Sequence, residues 1–556
     1  MCGIAGIIRR EGLKESDISV ATSFLEIHHN RGPDGRGIFR DHQSVHIQTL
    51  LSFQGTSKTL PFQDARYVIT FNGEIYNYRS LREHLSRDYV FTSDTDTEVL
   101  LASWVTWGAA CLDKLEGMFS FFIWDKKTAE GFAARDPLGV KPFFFIERDD
   151  LFAYSSTAGS FIESGLISFM PDESYLKLFL TAPYFSGALG TPFQGVKSLL
   201  PGEMIEVTKE GIKRSHFFTD SVQELDEEHL HEALSEAVES CFSGREKIGL
   251  FLSGGLDSTL IAGLAKKKNP LCFTLYYPEN ELLGHEHSLI VKSSDYPFAL
   301  EAAKTLELPL KSVIVPVGDY RTSLLETLAG NDLICAWEQE VSQHILSKAA
   351  ASLVKGVVVG DAADELHFGY PFFERPDIKD NIEHVLDWFG TVPLKNSSSA
   401  HIAETLREVS PKTDDLVRKL WLTRLLHNGD AHTMASSLEA RVPFGMQKVI
   451  RASSGITSQV SYADEMEKSH LRRMASRYLP ESLTKRKKSA LTKSFAGQAI
   501  IHEEFIKALK HSSELIEDFV DLDEVRAWAL RSPTTDREAG LEFRILALIT
   551  WFRRYL

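Results

Sequence analysis

Between residues 247 and 263 the chain reads KIGLFLSGGLDSTLIAG: an apolar run from Ile248 to Leu252, a small-residue turn, then a Leu- and Ala-rich stretch. The apolar run predicts a buried strand, and Thr259 to Lys267 predicts a helix. The same alternation continues downstream, with strand-like runs at Leu271–Tyr277, Lys311–Val315 and Gly356–Val359 separated by helical spacing at Pro297–Leu306 and Gln343–Leu353. Such a pattern predicts a doubly wound α/β unit around a parallel sheet. Helical spacing then dominates the C-terminal third, as in Thr413–Leu426 and Leu541–Arg554. The N-terminal part reads differently, with strands at Gly3–Ile8, Tyr67–Phe71 and Gly117–Phe121 and a helix capped by Thr95 that reaches Trp104. An acidic connector from Asp220 to Glu228 leads into a helix over Leu230–Cys241. The predicted domains are therefore 1–215 and 225–556.

A length of 556 residues fits two or three domains, and 43% hydrophobic with 25% charged residues is a globular composition. The net charge of −16 argues against nucleic acid as the main partner. Five cysteines form no CxxC pair, which argues against structural zinc and a disulfide framework and fits a reducing compartment. No apolar stretch is long enough to span a membrane, and MCGIAGIIRR has its charges in the wrong order for a secretory signal, so a cytoplasmic location is expected.

The turn Ser253-Gly254-Gly255-Leu256-Asp257-Ser258 delivers a strand to a helix N-terminus, where unpaired N–H groups and the positive end of the helix dipole favour an anion. The glycines let the backbone approach a phosphate, and Ser253 and Ser258 add hydroxyl donors. The Gly-Lys-Ser/Thr ending of a Walker A loop is missing. Asp257 would repel phosphate unless a cation lay between them, which points to Mg²⁺ shared with a polyphosphate. A second loop, Val359 to Tyr370, carries Asp361, Asp364 and Glu365. Three acids this close suit cation binding or proton abstraction, or else form a solvated acidic turn. At the carboxyl ends of neighbouring strands, both loops would line one crevice. The run Lys485-Arg486-Lys487-Lys488 by itself reads as a solvated basic face.

Loss of Met1 would give Cys2 a free α-amine beside its thiol, a pair able to do nucleophilic chemistry unaided. Asn72-Gly73 after a strand signals a tight turn, and beside a thiolate the same groups can stabilise an oxyanion. In order, Cys2, RGPDG (31–35), NGEIYN (72–77), DTE (96–98), GMFSF (117–121) and RDPLGVKP (135–142) resemble the N-terminal-nucleophile glutamine amidotransferase domain. The resemblance implies a four-layer αββα fold. It implies that Cys2 attacks the glutamine side-chain amide, that Asn72 and Gly73 hold the oxyanion, and that Glu74 and Asp96 grip the α-ammonium group. In that family an Arg in an HxRLS-like strand clamps the glutamine α-carboxylate. Here Gln48-Thr49-Leu50-Leu51-Ser52 puts Leu50 in its place, and Leu offers no bidentate contact. A high KM for glutamine is expected, with Arg31, Arg36 and Lys58 as candidates to compensate.

SGGLDS, GDAADE (360–365), MASSLEARVPF (434–444) and RKK (486–488) follow the order found in asparagine synthetases, so nearly the whole chain is similar to that family. The similarity implies an ATP-pyrophosphatase-type domain with helical additions, with ATP on Ser253, Gly254, Gly255, Leu256, Asp257 and Ser258. Leu275 and Gly360 would lie near the adenosine, and Asp257 and Asp364 would hold Mg²⁺. Lys468 would contact pyrophosphate, and Lys488 would offset charge developing on the α-phosphoryl group. A carboxylate, aspartate by family default, would be adenylated and then amidated by ammonia travelling internally from Cys2. The implied partners are glutamine, ATP and that acid, with a homodimer an admissible assembly. Asp361 stands where the family's acidic loop carries Glu. It is one methylene shorter, and a displacement of that size can cost ~10²-fold in rate. The family's Arg-x-Ser-Thr-Pro aligns with Trp337-Glu338-Gln339-Glu340-Val341, and its Pro-Phe-Leu-Asp with Pro443-Phe444-Gly445-Met446. Two acids in place of a basic, hydroxyl-rich segment suit a dianionic acceptor poorly, which makes a different carboxylate the alternative. A sugar-phosphate transferase would not need SGGLDS, a β-lactam-forming relative would lack the cysteine, and a non-catalytic nucleotide binder would release no pyrophosphate.

Overall fold

Alternate residues of Cys2–Arg9 (β1) go to opposite faces. Cys2, Ile4 and Ile8 cluster with Phe122, Trp124 and Tyr154, whereas Ala5 and Ile7 belong with Val20, Ala21 and Phe24. That division fixes a layered architecture in the computed structural model, which describes residues 2–53, 59–187, 189–219, 223–284, 288, 291–374, 381–390, 392–395, 399–464 and 466–556. The further strands of this part are Gly35–Arg40 (β2), Ser44–Leu50 (β3), Phe62–Gln63 (β4), Tyr67–Ile75 (β5), Gly117–Asp125 (β6), Glu130–Arg135 (β7), Phe144–Arg148 (β8), Leu151–Ser155 (β9), Lys197–Ser198 (β10), Glu203–Thr208 (β11) and Gly211–His216 (β12). They build two antiparallel six-stranded sheets, ordered β10-β8-β9-β1-β3-β2 and β12-β11-β7-β6-β5-β4. Helix α1 (Glu15–Ile27) covers the first, and α2 (Tyr78–Leu85) with α3 (Asp96–Trp107) covers the second through Phe71, Ile75, Val99 and Leu100. The layers are thus αββα, as the family resemblance implied.

The third sheet is entirely parallel: Ile248–Phe251 (β13), Cys272–Tyr276 (β14), Leu310–Ile314 (β15), Gly356–Val358 (β16) and Glu439–Arg441 (β17), in the order β15-β14-β13-β16-β17. The chain winds outward on one side of β13 and then returns to build on the other. The crevice beyond the carboxyl ends of β13 and β16 is therefore a topological switch point, where such sheets bind ligands. Four of these strands match the periodicity to within two residues. β17 does not, because Glu439 and Arg441 are charged yet fully buried, paired Nε to Oε1 at 2.6 Å. The stretch read as Thr413–Leu426 is a short helix (Thr413–Leu416), a π-turn (Val417–Trp421) and the helix Leu422–Met434.

Candidate active site

Cys2 is the first residue of β1 and is 4% exposed, and burial raises its thiol pKa. Gln48 Nε2 donates to its Sγ at 3.4 Å, and the Cys2 N–H donates to Asn72 Oδ1 at 3.2 Å. With its oxygen so engaged, Asn72 keeps a buried Nδ2 that has no partner among the described residues, a donor available to an anion near the sulfur. Only glycine fits at position 73, since a Cβ there would lie 2.1 Å from the Met118 carbonyl oxygen. Glu74 and Asp96 line the same small cavity, and Asp96 Oδ2 accepts from the Ile75 N–H at 3.1 Å. Burial and the neighbouring Glu74 charge push the Asp96 carboxyl up to about 8. Thr95, and not either acid, caps α3 by accepting from the Glu98 N–H.

Leu50 pairs in register with Cys2 and lines this cavity. Among the described lining residues there is no Lys or Arg. Arg31 is buried on Asp430 at 2.8 Å, Arg36 is exposed on Glu26 at 2.7 Å, and Lys58 lies outside the described residues. Gln48, which holds the sulfur, carried no motif that would single it out.

The larger cavity, about 360 Å³, opens at the switch point and takes in Ser253, Gly255, Leu256, Asp257, Ser258, Leu275, Gly360, Asp361, Asp364, Lys468 and Lys488. The two hydroxyls hold the turn: Ser253 Oγ accepts from the Gly255 N–H and Ser258 Oγ from the Ser253 N–H, both at 3.2 Å. Gly254 sits apart from the described lining, with φ +73° and space for a Cβ only 2.5 Å from the Ala299 nitrogen, so it shapes the turn. Lys468 Nζ reaches Asp257 at 2.6 Å and Asp364 at 2.5 Å, and Lys488 Nζ also pairs with Asp364. Two carboxylates that share one ammonium are spaced to share another cation, and oxygen donors of this kind suit Mg²⁺. Burial would raise Asp364, but the two lysines outweigh it and hold the group below the usual carboxylate range. Desolvation and then the Asp364 charge push Asp361 up to about 6 and Glu365 up to about 7. In the basic run, Arg486 and Lys488 turn inward while Lys485 and Lys487 are exposed. Arg486 is held by Asp295 at 2.7 Å and by the Ser253 carbonyl at 3.1 Å, so Arg486 and Lys488 are cavity lining and not part of a solvated face.

The segment 337–341 departs from the expectation that its acids face the acceptor. Glu338 pairs with Lys493 at 2.8 Å, and Glu340 accepts from the Ala336 N–H at 2.6 Å and meets His432 Nε2 at 2.7 Å. Trp337 and Gln339, the residues between and before them, line the cavity instead.

The helix Leu422–Met434 ties the surroundings of the two cavities together. Arg31 Nε donates to the Cys2 carbonyl at 3.4 Å and its Nη1 to Asp430 Oδ2 at 2.8 Å. Next to Asp430, a Cβ on Gly429 would stand 3.3 Å from Asp361 Oδ2.

The glutamine amidotransferase domain family model matches residues 1–218, and the asparagine synthase family model matches residues 229–553. Asparagine synthetase (glutamine-hydrolyzing) 3 of Bacillus subtilis is 28% identical, covering 92% of this chain and 89% of its own. Asparagine synthetase (glutamine-hydrolyzing) 1 of the same organism is 26% identical, over 88% and 86%. Asparagine synthetase B (glutamine-hydrolyzing) of Escherichia coli is 25% identical, over 88% and 81%. With more than half of its length matched by one family model, and with a buried cysteine and a lysine–carboxylate cluster where that family's motifs fall, the chain belongs to the asparagine synthase family.

Proposed function

We propose that this protein transfers the amide nitrogen of glutamine to a carboxylate that ATP has activated, releasing glutamate, AMP and pyrophosphate. Residues 1–215 would release ammonia and residues 225–556 would use it. Cys2 Sγ attacks the glutamine amide carbon while Asn72 Nδ2 and the Gly73 N–H receive the oxyanion. Ammonia leaves, and water resolves the thioester to glutamate. Glu74 and Asp96 hold the α-ammonium group.

In the second cavity an acceptor carboxylate oxygen attacks the α-phosphorus of ATP, and pyrophosphate departs. Ammonia then attacks the acyl carbon, and AMP leaves with the oxygen that made the carboxylate unreactive. Asp257 and Asp364 would hold Mg²⁺, which supplies charge neutralisation on the pyrophosphate. Lys488 offsets charge on the α-phosphoryl group, and Lys468 is placed for the pyrophosphate. Asp361, less acidic than an ordinary Asp and close to Gly429, is placed to take a proton from the attacking ammonia. Aspartate is the acceptor that the relatives' name suggests, but the walls of this cavity favour another acid.

The observation that carries the reading is the tie between sites, in which Arg31 bonds both the Cys2 carbonyl and Asp430 of the helix beside Asp361. The test is transfer of ¹⁵N from amide-labelled glutamine into product alongside AMP and pyrophosphate, across a panel of acids. Pyrophosphate release that needs no acid, or nitrogen that never leaves glutamine for an acid, defeats it.

A further inference from the structure

Beyond Asp361 and Glu365 the cavity wall becomes aromatic. Tyr184 and Trp337 stack with centroids 3.9 Å apart and planes at 12°, and Tyr184 lies 4.2 Å from Trp421. Tyr370 lies 4.9 Å from Trp421 and stacks on Phe372 at 5.4 Å, and its hydroxyl donates to Glu365. All five rings line the cavity, and they come from four separate segments. Two amides share that wall. Among the described residues, Asn428 is 1% exposed with neither amide atom partnered, and Gln339 is 9% exposed with its Nε2 unpartnered. Buried amide groups left unpaired in a cavity wall are poised to bond a ligand.

The charges are placed elsewhere. Lys468 and Lys488 belong to Asp257 and Asp364, Arg486 to Asp295, and Arg472 to Glu467. Lys292 and Lys487 also line the cavity, in and beside the 486–489 stretch: the Lys292 N–H donates to Ser489 Oγ at 3.0 Å and its Nζ to the Ser288 carbonyl at 2.9 Å, and Lys487 is exposed next to Lys488. Glu338 and Glu340, which occupy the family's hydroxyl-rich segment, are consumed by Lys493 and His432. An aromatic wall with amide donors, set apart from cations that gather around the 486–489 stretch and the Asp257–Asp364 pair, favours an apolar ligand with one polar end.

Building on the reaction proposed above, we infer that the acceptor is a monocarboxylic acid with an aromatic body. Its ring packs against the wall formed by Tyr184, Trp337 and Trp421, and Asn428 and Gln339 orient its polar end toward the nucleotide. Aspartate, with two carboxylates and no apolar surface, leaves that wall uncovered.

ATP–pyrophosphate exchange by the full chain tests this, with L-aspartate compared against benzoate, phenylacetate, 3-phenylpropionate and indole-3-acetate. At least one aromatic acid is expected to raise exchange tenfold over the acid-free rate, while aspartate stays within threefold of it. Trp337→Ala should raise the KM of that acid about tenfold with kcat and the ATP KM little changed. Tyr184→Leu is the second variant should Trp337→Ala fail to fold, with glutamine hydrolysis in each preparation reporting an intact chain. Exchange with aspartate and none with the aromatic acids overturns the inference and leaves the reaction standing. Exchange with no acid overturns both. A tenfold rise in the ATP KM in Trp337→Ala, with the acid KM unmoved, assigns the rings to adenine and also overturns the inference.

Discussion

Leu50→Arg restores to the cysteine cavity the one charge it lacks, and its effect can be worked out. Leu50 stands opposite Cys2 in the β1–β3 register and lines a cavity whose described charged residues, Glu74 and Asp96, are both acids. Such a wall would receive the α-ammonium group of glutamine and give nothing to the α-carboxylate. A guanidinium at position 50 could form a bidentate pair, and hydrogen bonds to charged groups contribute about 1.5–3 kcal/mol each. Ordering a long side chain costs up to about 2 kcal/mol in return. The surplus, about 1–4 kcal/mol, corresponds to a fall in glutamine KM of roughly 5- to 700-fold. Because Cys2, Asn72 and Gly73 are untouched, kcat should move less than threefold. Steady-state glutamate release by wild type and variant reads both constants. A variant that hydrolyses glutamine at the wild-type kcat with an unchanged KM refutes the reasoning, since the carboxylate must then already be held. Arg31→Ala and Arg36→Ala would show by what.

Cys2→Ala should abolish glutamine-driven amidation and leave amidation from ammonium chloride within a fewfold of wild type; loss of both would contradict separate sites. Lys488→Ala should lower acid-dependent pyrophosphate release by about 10²–10³, the scale for removing one preorganised donor, while glutamine hydrolysis persists. Asp364 keeps Lys468 at 2.5 Å in that variant, so no buried charge is stranded, and a silent substitution would return Lys488 to bystander status. The Asp96 carboxyl, raised to about 8, is mostly protonated at pH 6 and ionises as pH rises. An ammonium ligand needs the ionised form, so glutamine KM should fall from pH 6 to 8 by up to about tenfold per unit, and Asp96→Asn should flatten the profile. A wild-type KM that is flat over this range would show that Asp96 is not the ammonium partner.

What could be read from the sequence was local. A strand, a glycine turn and a helix start occupy adjacent residues, so the 253–258 turn and the acidic loop could be placed on β13 and β16 before any coordinates. Features that depend on partners far along the chain could not be read. Nothing near Arg31 points to Asp430, 399 residues away, and nothing near Glu338 points to Lys493. β17 escaped because its burial rests on an ion pair, with Arg441 Nη1 also donating to the Cys241 carbonyl at 2.8 Å, so no apolar period marks it. The basic run misled in the opposite sense: its in–out alternation appears only once Asp295 and Asp364 are in place. The aromatic wall is the extreme case, since each ring by itself reads as ordinary core.

The helix Leu422–Met434 explains why so many of these distant pairs converge. Its successive residues Asn428, Gly429 and Asp430 lie, in turn, on the wall of the larger cavity, against Asp361, and on Arg31. Lys141 adds a second cation 3.7 Å from Asp430 and donates to the Ala440 carbonyl of β17 at 3.3 Å. Ion pairs this deep contribute little net stability once desolvation is counted, yet losing one partner costs about 3–5 kcal/mol. Their consequence is therefore geometric. A shift of the helix large enough to open the Asp361 side would have to separate Asp430 from both cations, and Arg31 would carry the strain to the Cys2 carbonyl. The same helix is fixed at its other turns, by His432 on Glu340 and by Arg424 on the Ile334 carbonyl, so it cannot relieve the strain by rotating. The strand that carries Cys2 and the loop that carries Asp361 are thus tied to one helix through a continuous run of ion pairs and hydrogen bonds.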